Sequence, residues 1–170
     1  MKTIFTTGIF FILGLTVAFS QTYNATSSVD YFGNTNTVYS NSHGNTIATS
    51  KMSTDYFGND NTTYYDSSGA TMGTSSSSVD YFGNDNTTSY DTYGNTTSTS
   101  TGSIDYFNNY NVNYQDTNGN TVGQSSSSLD YFNNVNTIFS NSNGETTASS
   151  TSSYDHFGNF NSTITITPWN

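Results

Sequence analysis

No cysteine occurs in the chain, so disulfides cannot staple the fold and zinc–thiolate sites are excluded. Basic side chains are almost as scarce. Lys2 and Lys51 stand against twelve carboxylates, and the formal net charge is −10. Binding a polyanion rests on Lys and Arg neutralising phosphates, so no nucleic-acid partner is expected, and no anionic membrane surface either. Proline occurs once, at Pro168. That scarcity, with the regular placement of Tyr and Phe, argues against a disordered linker. Catalytic signatures are missing too. There is no Gly-x-Ser-x-Gly elbow, and the two histidines, His43 and His156, have no third group spaced to orient them. The chain is not expected to be an enzyme, and no catalytic residue is named.

Apolar residues run together only at the start. After Met1-Lys2 come Ile4, Phe5, Ile9, Phe10, Phe11, Ile12, Leu13, Leu15 and Val17, then the small residues around Ala18-Phe19-Ser20. This reads as a secretory signal peptide over residues 1–20, so the protein is expected to be secreted, extracellular or on the cell surface. Thr6, Thr7, Gly8 and Gly14 break the run, which makes it a poor membrane span, and no later run is long enough for one.

What fills the rest is a repeat. Asp80-Tyr81-Phe82-Gly83-Asn84-Asp85-Asn86 has counterparts opening at Asp30, Asp55, Asp105, Asp130 and Asp155, a period of 25 residues without slippage. Asn108 and Asn133 take the Gly slot in two copies, and His156 takes the Tyr slot in the last. A second signal, Asp/Asn-x-x-Gly, recurs at Asn41, Asp66, Asp91, Asp116 and Asn141. Asp or Asn opening a type I turn bonds the backbone ahead of it, and Gly in fourth place accepts the left-handed conformation, which together give a three-residue hairpin loop with a bulge. Between the turns lie Thr- and aromatic-rich runs such as Asn61 to Tyr65 and Asn136 to Ser140, which suit strands. Nothing follows a helical period.

The turns are unequally spaced: 11 residues from first to second, 14 from second to the next first. The excess falls in a Ser-rich part such as Ser75 to Ser78, where a bulge, a third bend or a strand extension is expected. Two topologies fit. In an antiparallel hairpin meander, equivalent residues lie roughly 9.6 Å apart; in a β-solenoid they stack at about 4.8 Å. The hairpin-type turns and the cost of stacking six like-charged Asp residues favour the meander. The expected organisation is residues 21–28 as an N-terminal segment and 29–170 as an all-β domain of six copies. The last copy replaces its second turn with Thr163-Ile164-Thr165-Ile166-Thr167, a cap strand that covers an edge.

The segments Tyr65-Asp66-Ser67-Ser68-Gly69 and Tyr90-Asp91-Thr92-Tyr93-Gly94-Asn95 resemble the tyrosine–aspartate (YD) repeats of bacterial cell-surface and Rhs-type proteins, and this resemblance implies strips of β-hairpins. Gly94-Asn95 and the strand–turn–strand length are also similar to curlin repeats of secreted amyloid fibres.

Candidate ligand groups are few. Asp55, Asp60, Asn61, Asp80, Asp85 and Asn86 bring hard oxygen donors into single turns and form a candidate calcium set, with turn capping as the alternative role. No other cofactor is implied. Thr46, Thr71, Thr96, Thr121 and Thr146 form a column suited to ordering water as ice. Asn24, Asn61, Asn86, Asn95 and Asn161 open Asn-x-Ser/Thr sequons. Phe32, Phe57, Phe82, Phe107, Phe132 and Phe157 form a column expected to be core or contact surface. The composite expectation is a secreted structural or adhesive protein that contacts carbohydrate or its own copies. Self-association would run through two open strand edges and strengthen with calcium or salt. The alternative is a monomeric extracellular module binding calcium, glycan or ice.

Overall fold

The computed structural model describes residues 21–167; the signal-peptide expectation, Pro168 and Trp169 lie outside the described residues. The strands in chain order are β1 (Gln21–Val29), β2 (Thr35–Asn41), β3 (Thr46–Thr54), β4 (Asp60–Asp66), β5 (Thr71–Val79) and β6 (Asp85–Tyr90). They continue as β7 (Thr96–Ile104), β8 (Tyr110–Gln115), β9 (Thr121–Leu129), β10 (Val135–Asn141), β11 (Thr146–Tyr154) and β12 (Phe160–Ile166). Each strand pairs antiparallel with its chain neighbours, and β12 pairs antiparallel with β1. The all-β meander expected from the repeat is present. The open strip and the solenoid are not, because the sheet closes into a barrel.

Closure follows from the unequal turn spacing. The Ser-rich part makes no third bend; it is the far half of each longer strand, as in β5. One of the three extra residues is absorbed by a bulge beside each second turn, for example between Tyr39 and Ser40. The other two shift the register. Ser27 pairs with Thr37 and Thr37 with Ser50, whereas the residue equivalent to Ser27 in the next copy is Met52. Each copy therefore steps back two residues, and six copies give a stagger equal to the strand number. Barrels with that equality tilt their strands by about 36° and meet themselves in register.

The seam between β12 and β1 reproduces the internal joints. Ile164 faces Tyr23 as Tyr39 faces Ala48. With no turn to accommodate there, the seam carries no bulge, and the ladder continues to Gln21 opposite Ile166. Residues 21–28 are thus part of a barrel strand, and the expected cap strand is β12 itself. Each terminal strand occupies the other's edge. The two unpaired edges on which edge-to-edge assembly was expected to run do not exist.

Alternation places every second residue inside. The interior carries one large ring per copy in most copies, at Tyr39, Tyr64, Tyr114 and Phe139, each opposite a small residue (Ala48, Gly73, Gly123 and Ala148). The buried phenols are satisfied by hydroxyls on the next strand: Tyr39 by Ser50 at 3.4 Å, Tyr64 by Ser75 at 3.3 Å and Tyr114 by Ser125 at 3.2 Å. The apolar core concentrates at the seam, where Ile164 and Ile166 pack with Tyr23, Ala25, Phe139 and Ala148. The outer face is largely Thr, Ser and Asn, cross-linked by pairs such as Thr26 to Asn161 at 2.8 Å and Thr151 to Asn136 at 2.9 Å.

Candidate contact surface: an aromatic rim

All six first turns join an odd strand to the following even strand, so an up-and-down barrel gathers them at one end. Their geometry is uniform. The N–H of Gly33 donates to the Asp30 carbonyl at 3.0 Å, the Asp30 N–H donates to the Asn34 carbonyl at 2.9 Å, and Gly33 has φ +84°. Asn108 (φ 66°) and Asn133 (φ 62°) hold the same conformation, which Asn tolerates better than most residues.

The Asp side chain locks the loop. Asp30 Oδ1 accepts the backbone N–H groups of Phe32 at 2.9 Å and Asn34 at 3.0 Å, while Oδ2 accepts the side-chain amide of Asn34 at 3.0 Å. That amide is the largest cause holding the Asp30 carboxyl at about 2 against an ordinary 3.8. Asp55, Asp80, Asp105, Asp130 and Asp155 are lowered as well, each first by the side-chain amide four residues on. Lys51, the one Lys or Arg among the described residues, lies 3.9 Å from Asp30.

With the backbone fixed, the two central residues of each loop have nowhere to go but outward. Tyr31, Tyr56, Tyr81, Tyr106 and Tyr131 are 93–98% exposed, and the six Phe side chains that follow the first position are 78–86% exposed. Phe32, Phe57, Phe82, Phe107, Phe132 and Phe157 are therefore exposed and not core, the first of the two roles expected for that column. Each pair meets edge to face, with centroids 5.5–5.7 Å apart in the five Tyr–Phe pairs and 5.9 Å for His156 with Phe157. A buried aromatic covers 150–250 Å², so these rings offer on the order of 2,000 Å². Ordinary monomers leave apolar patches of a few hundred Å².

The candidate calcium donors are divided by strand alternation. Asp55 and Asp80 cap turns, with their carboxylates engaged by N–H donors, and Asn61 and Asn86 point amides at them at 3.3 Å. Asp60 and Asp85 fall on the opposite, inner parity at the mouth of the barrel. Asp60 accepts from Thr54 at 2.6 Å; Asp85 accepts from Ser77 and, at 3.3 Å, from Tyr110. Among the described residues, no group of three or more His, Cys, Asp or Glu is arranged to hold a metal ion.

The opposite rim is polar. Its turns open with Asn41, Asp66, Asp91, Asp116 and Asn141 and repeat the same loop geometry. His43 and Tyr93 are its exposed aromatic loop residues. Thr46, Thr71, Thr96, Thr121 and Thr146 are exposed at this end, spread around the perimeter rather than laid out on one flat face. The signal for the aromatic rim in the sequence is five Tyr–Phe dipeptides and one His–Phe, each inside a turn signal.

No protein-family model and no curated protein matches the chain. Among solved structures, the chain is similar to a porin-like protein from Bacteroides uniformis at 16% identity and TM-score 0.29, over 81% of this chain and 61% of that one. Among the described residues, no helix is long and apolar enough to cross a membrane.

Proposed function

We propose that this barrel is a secreted adhesive module that presents its aromatic rim to an extracellular carbohydrate surface. The observation that carries this reading is the placement of six exposed aromatic pairs at one end of a barrel whose outer wall is largely Thr, Ser and Asn. Exposed rings stack on the apolar faces of sugars, and turns locked by Asp keep the rings pre-positioned, which lowers the ordering cost of contact. Six equivalent weak contacts on one rigid body gain by avidity, on the order of a hundredfold or more over a single contact. Closure of the sheet supports a module that acts as a monomer through its rim rather than a subunit that grows at its edges. The polar outer face supports the same reading: a lipid-spanning barrel needs an apolar outward band, whereas outward positions here carry residues such as Asn36, Thr63, Thr88, Gln124 and Thr163.

The test replaces all six rim phenylalanines with serine. Their exposure means that thermal unfolding should change little. The native protein should be retained on insoluble polysaccharide and the variant should wash through. Equal retention of both, or retention of neither across uncharged and charged polysaccharides, refutes the proposal.

A further inference from the structure

The rim carries more charge than the backbone bonds of its turns need. All six of its turn-opening residues are Asp, at positions 30, 55, 80, 105, 130 and 155. At the opposite rim the same turn is opened by Asp in three copies and by Asn in two. Asn does the job there: Asn41 Oδ1 accepts the N–H groups of His43 and Asn45, both at 3.0 Å, and Asn141 accepts those of Asn143 and Glu145, both at 3.0 Å. These are the two backbone bonds that Asp30 makes with Phe32 and Asn34. Those two backbone bonds therefore need an acceptor oxygen and not a negative charge; the second carboxylate oxygen at the aromatic rim takes side-chain amides, as Asp30 Oδ2 takes those of Asn34 and Asn36. Asp60 and Asp85 add two more carboxylates at the mouth of the aromatic end, and among the described residues Lys51, beside Asp30, is the only Lys or Arg to offset this charge. Fixed anions thus stand directly behind six pairs of exposed rings. That combination attracts cations at long range and holds them against ring faces at short range.

Building on the adhesive reading above, we infer that the rim binds a polymer of amino sugars whose amines are free and protonated. The sugar face stacks on a Tyr–Phe pair while the ammonium group lies in the field of the adjacent Asp. Six near-identical sites fit a ligand built from one repeating unit better than a peptide of unique sequence. Anionic and uncharged glycans lack the charge that the rim complements.

The experiment measures binding of the protein to a soluble β-1,4-linked glucosamine polymer, its fully N-acetylated counterpart and polylysine, at a pH where the amines carry protons. Two variants remove the same charge from different ends: D55N/D80N/D105N at the aromatic rim and D66N/D91N/D116N at the other. Both keep the two backbone bonds of each turn and give up amide bonds to the second carboxylate oxygen, from Asn59, Asn84 and Asn109 at the rim and from Asn95 and Asn120 at the other end, so thermal unfolding is recorded for each and binding is compared well below both midpoints. The expected result is at least about tenfold weaker binding of the free-amine polymer by the rim variant, with the opposite-end variant close to the native protein. Native binding should also weaken with added salt. Equal weakening by both variants overturns the inference, because bulk charge would then explain the attraction. Equal binding of the acetylated polymer overturns it too, yet leaves the adhesive reading standing if the six-Phe variant fails to bind. Polylysine bound as tightly as the amino-sugar polymer overturns the sugar assignment. Undiminished binding by the six-Phe variant removes the rim itself, and the adhesive reading with it.

Discussion

Replacing Ile164 with alanine should do more than loosen a core, because Ile164 closes the one joint of the barrel that has no covalent turn. The side chain is 2% exposed and packs at the seam with Tyr23, Ala25, Phe139, Ala148 and Ile166. The change deletes three carbons, worth roughly 2.4 kcal/mol at about 0.8 kcal/mol each, and the cavity left behind brings the loss to about 3–4 kcal/mol. For a domain of this size that lowers Tm by about 10 °C. Val112, 3% exposed and lying between covalently linked hairpins, provides the comparison. Val112→Ala should also destabilise, by about 2 kcal/mol. The two should then part company. Fraying at the seam frees the edges of β1 and β12 for pairing with other molecules, whereas fraying near Val112 is held by turns on both sides. Size-exclusion chromatography with light scattering, across a concentration series, should show oligomers for Ile164→Ala and a monomer for Val112→Ala. Linking Asn24 and Thr163 as a cysteine pair should abolish the oligomers, since these residues face each other across the seam and no native cysteine competes. Oligomers from both alanine variants, or from neither, would refute the idea that the seam is where the barrel opens.

Two further predictions concern the turns. Gly83 has φ +83°, so Gly83→Ala should destabilise by about 1 kcal/mol, while Gly83→Asn should cost less because Asn108 and Asn133 already hold that conformation; denaturant unfolding distinguishes the two. The lowered Asp carboxyls make the fold acid-sensitive: their bonds contribute stability above the unfolded value near 3.8, and this is lost as pH falls toward the folded value, about 2 for Asp30. Thermal midpoints should therefore hold level down to about pH 5 and fall between about pH 4 and pH 2, and a midpoint flat across that window would contradict the assigned bonds.

The elements of this fold are legible because they rest on local chemistry. Asp30 to Gly33 and Asn41 to Gly44 specify their turns through an acceptor side chain and a left-handed residue, both within four positions, and the structure has both turns where the sequence places them. Closure is not local, yet its cause is present in the chain as the difference between 11 and 14 residues. Taken as slack to be used up in a third bend, that difference leaves the sheet open. Taken as a register step, after one residue goes to the bulge, it forces each hairpin to advance by two along its neighbour. Six such steps return the sheet to its first strand, which is why β12 finds β1 in the register of every internal joint.

The rim shows the opposite kind of difficulty. A regular Phe column invites assignment to a core, because large apolar residues are usually buried. The same residues sit at the centre of a turn whose ends are tied by the Asp carboxylate, and a turn residue cannot also lie on a sheet face. The backbone constraint is met in every copy, and the burial preference of Phe is overridden in every copy. Folding alone does not call for this arrangement, since loops of the same geometry at the other end carry Ser42-His43, Ser67-Ser68 and Ser142-Asn143 at the corresponding positions. The turn can be made with serine and asparagine, so the eleven Tyr and Phe side chains, His156 and six acids gathered on one rim are not explained by folding, and the adhesive proposal rests on that surplus.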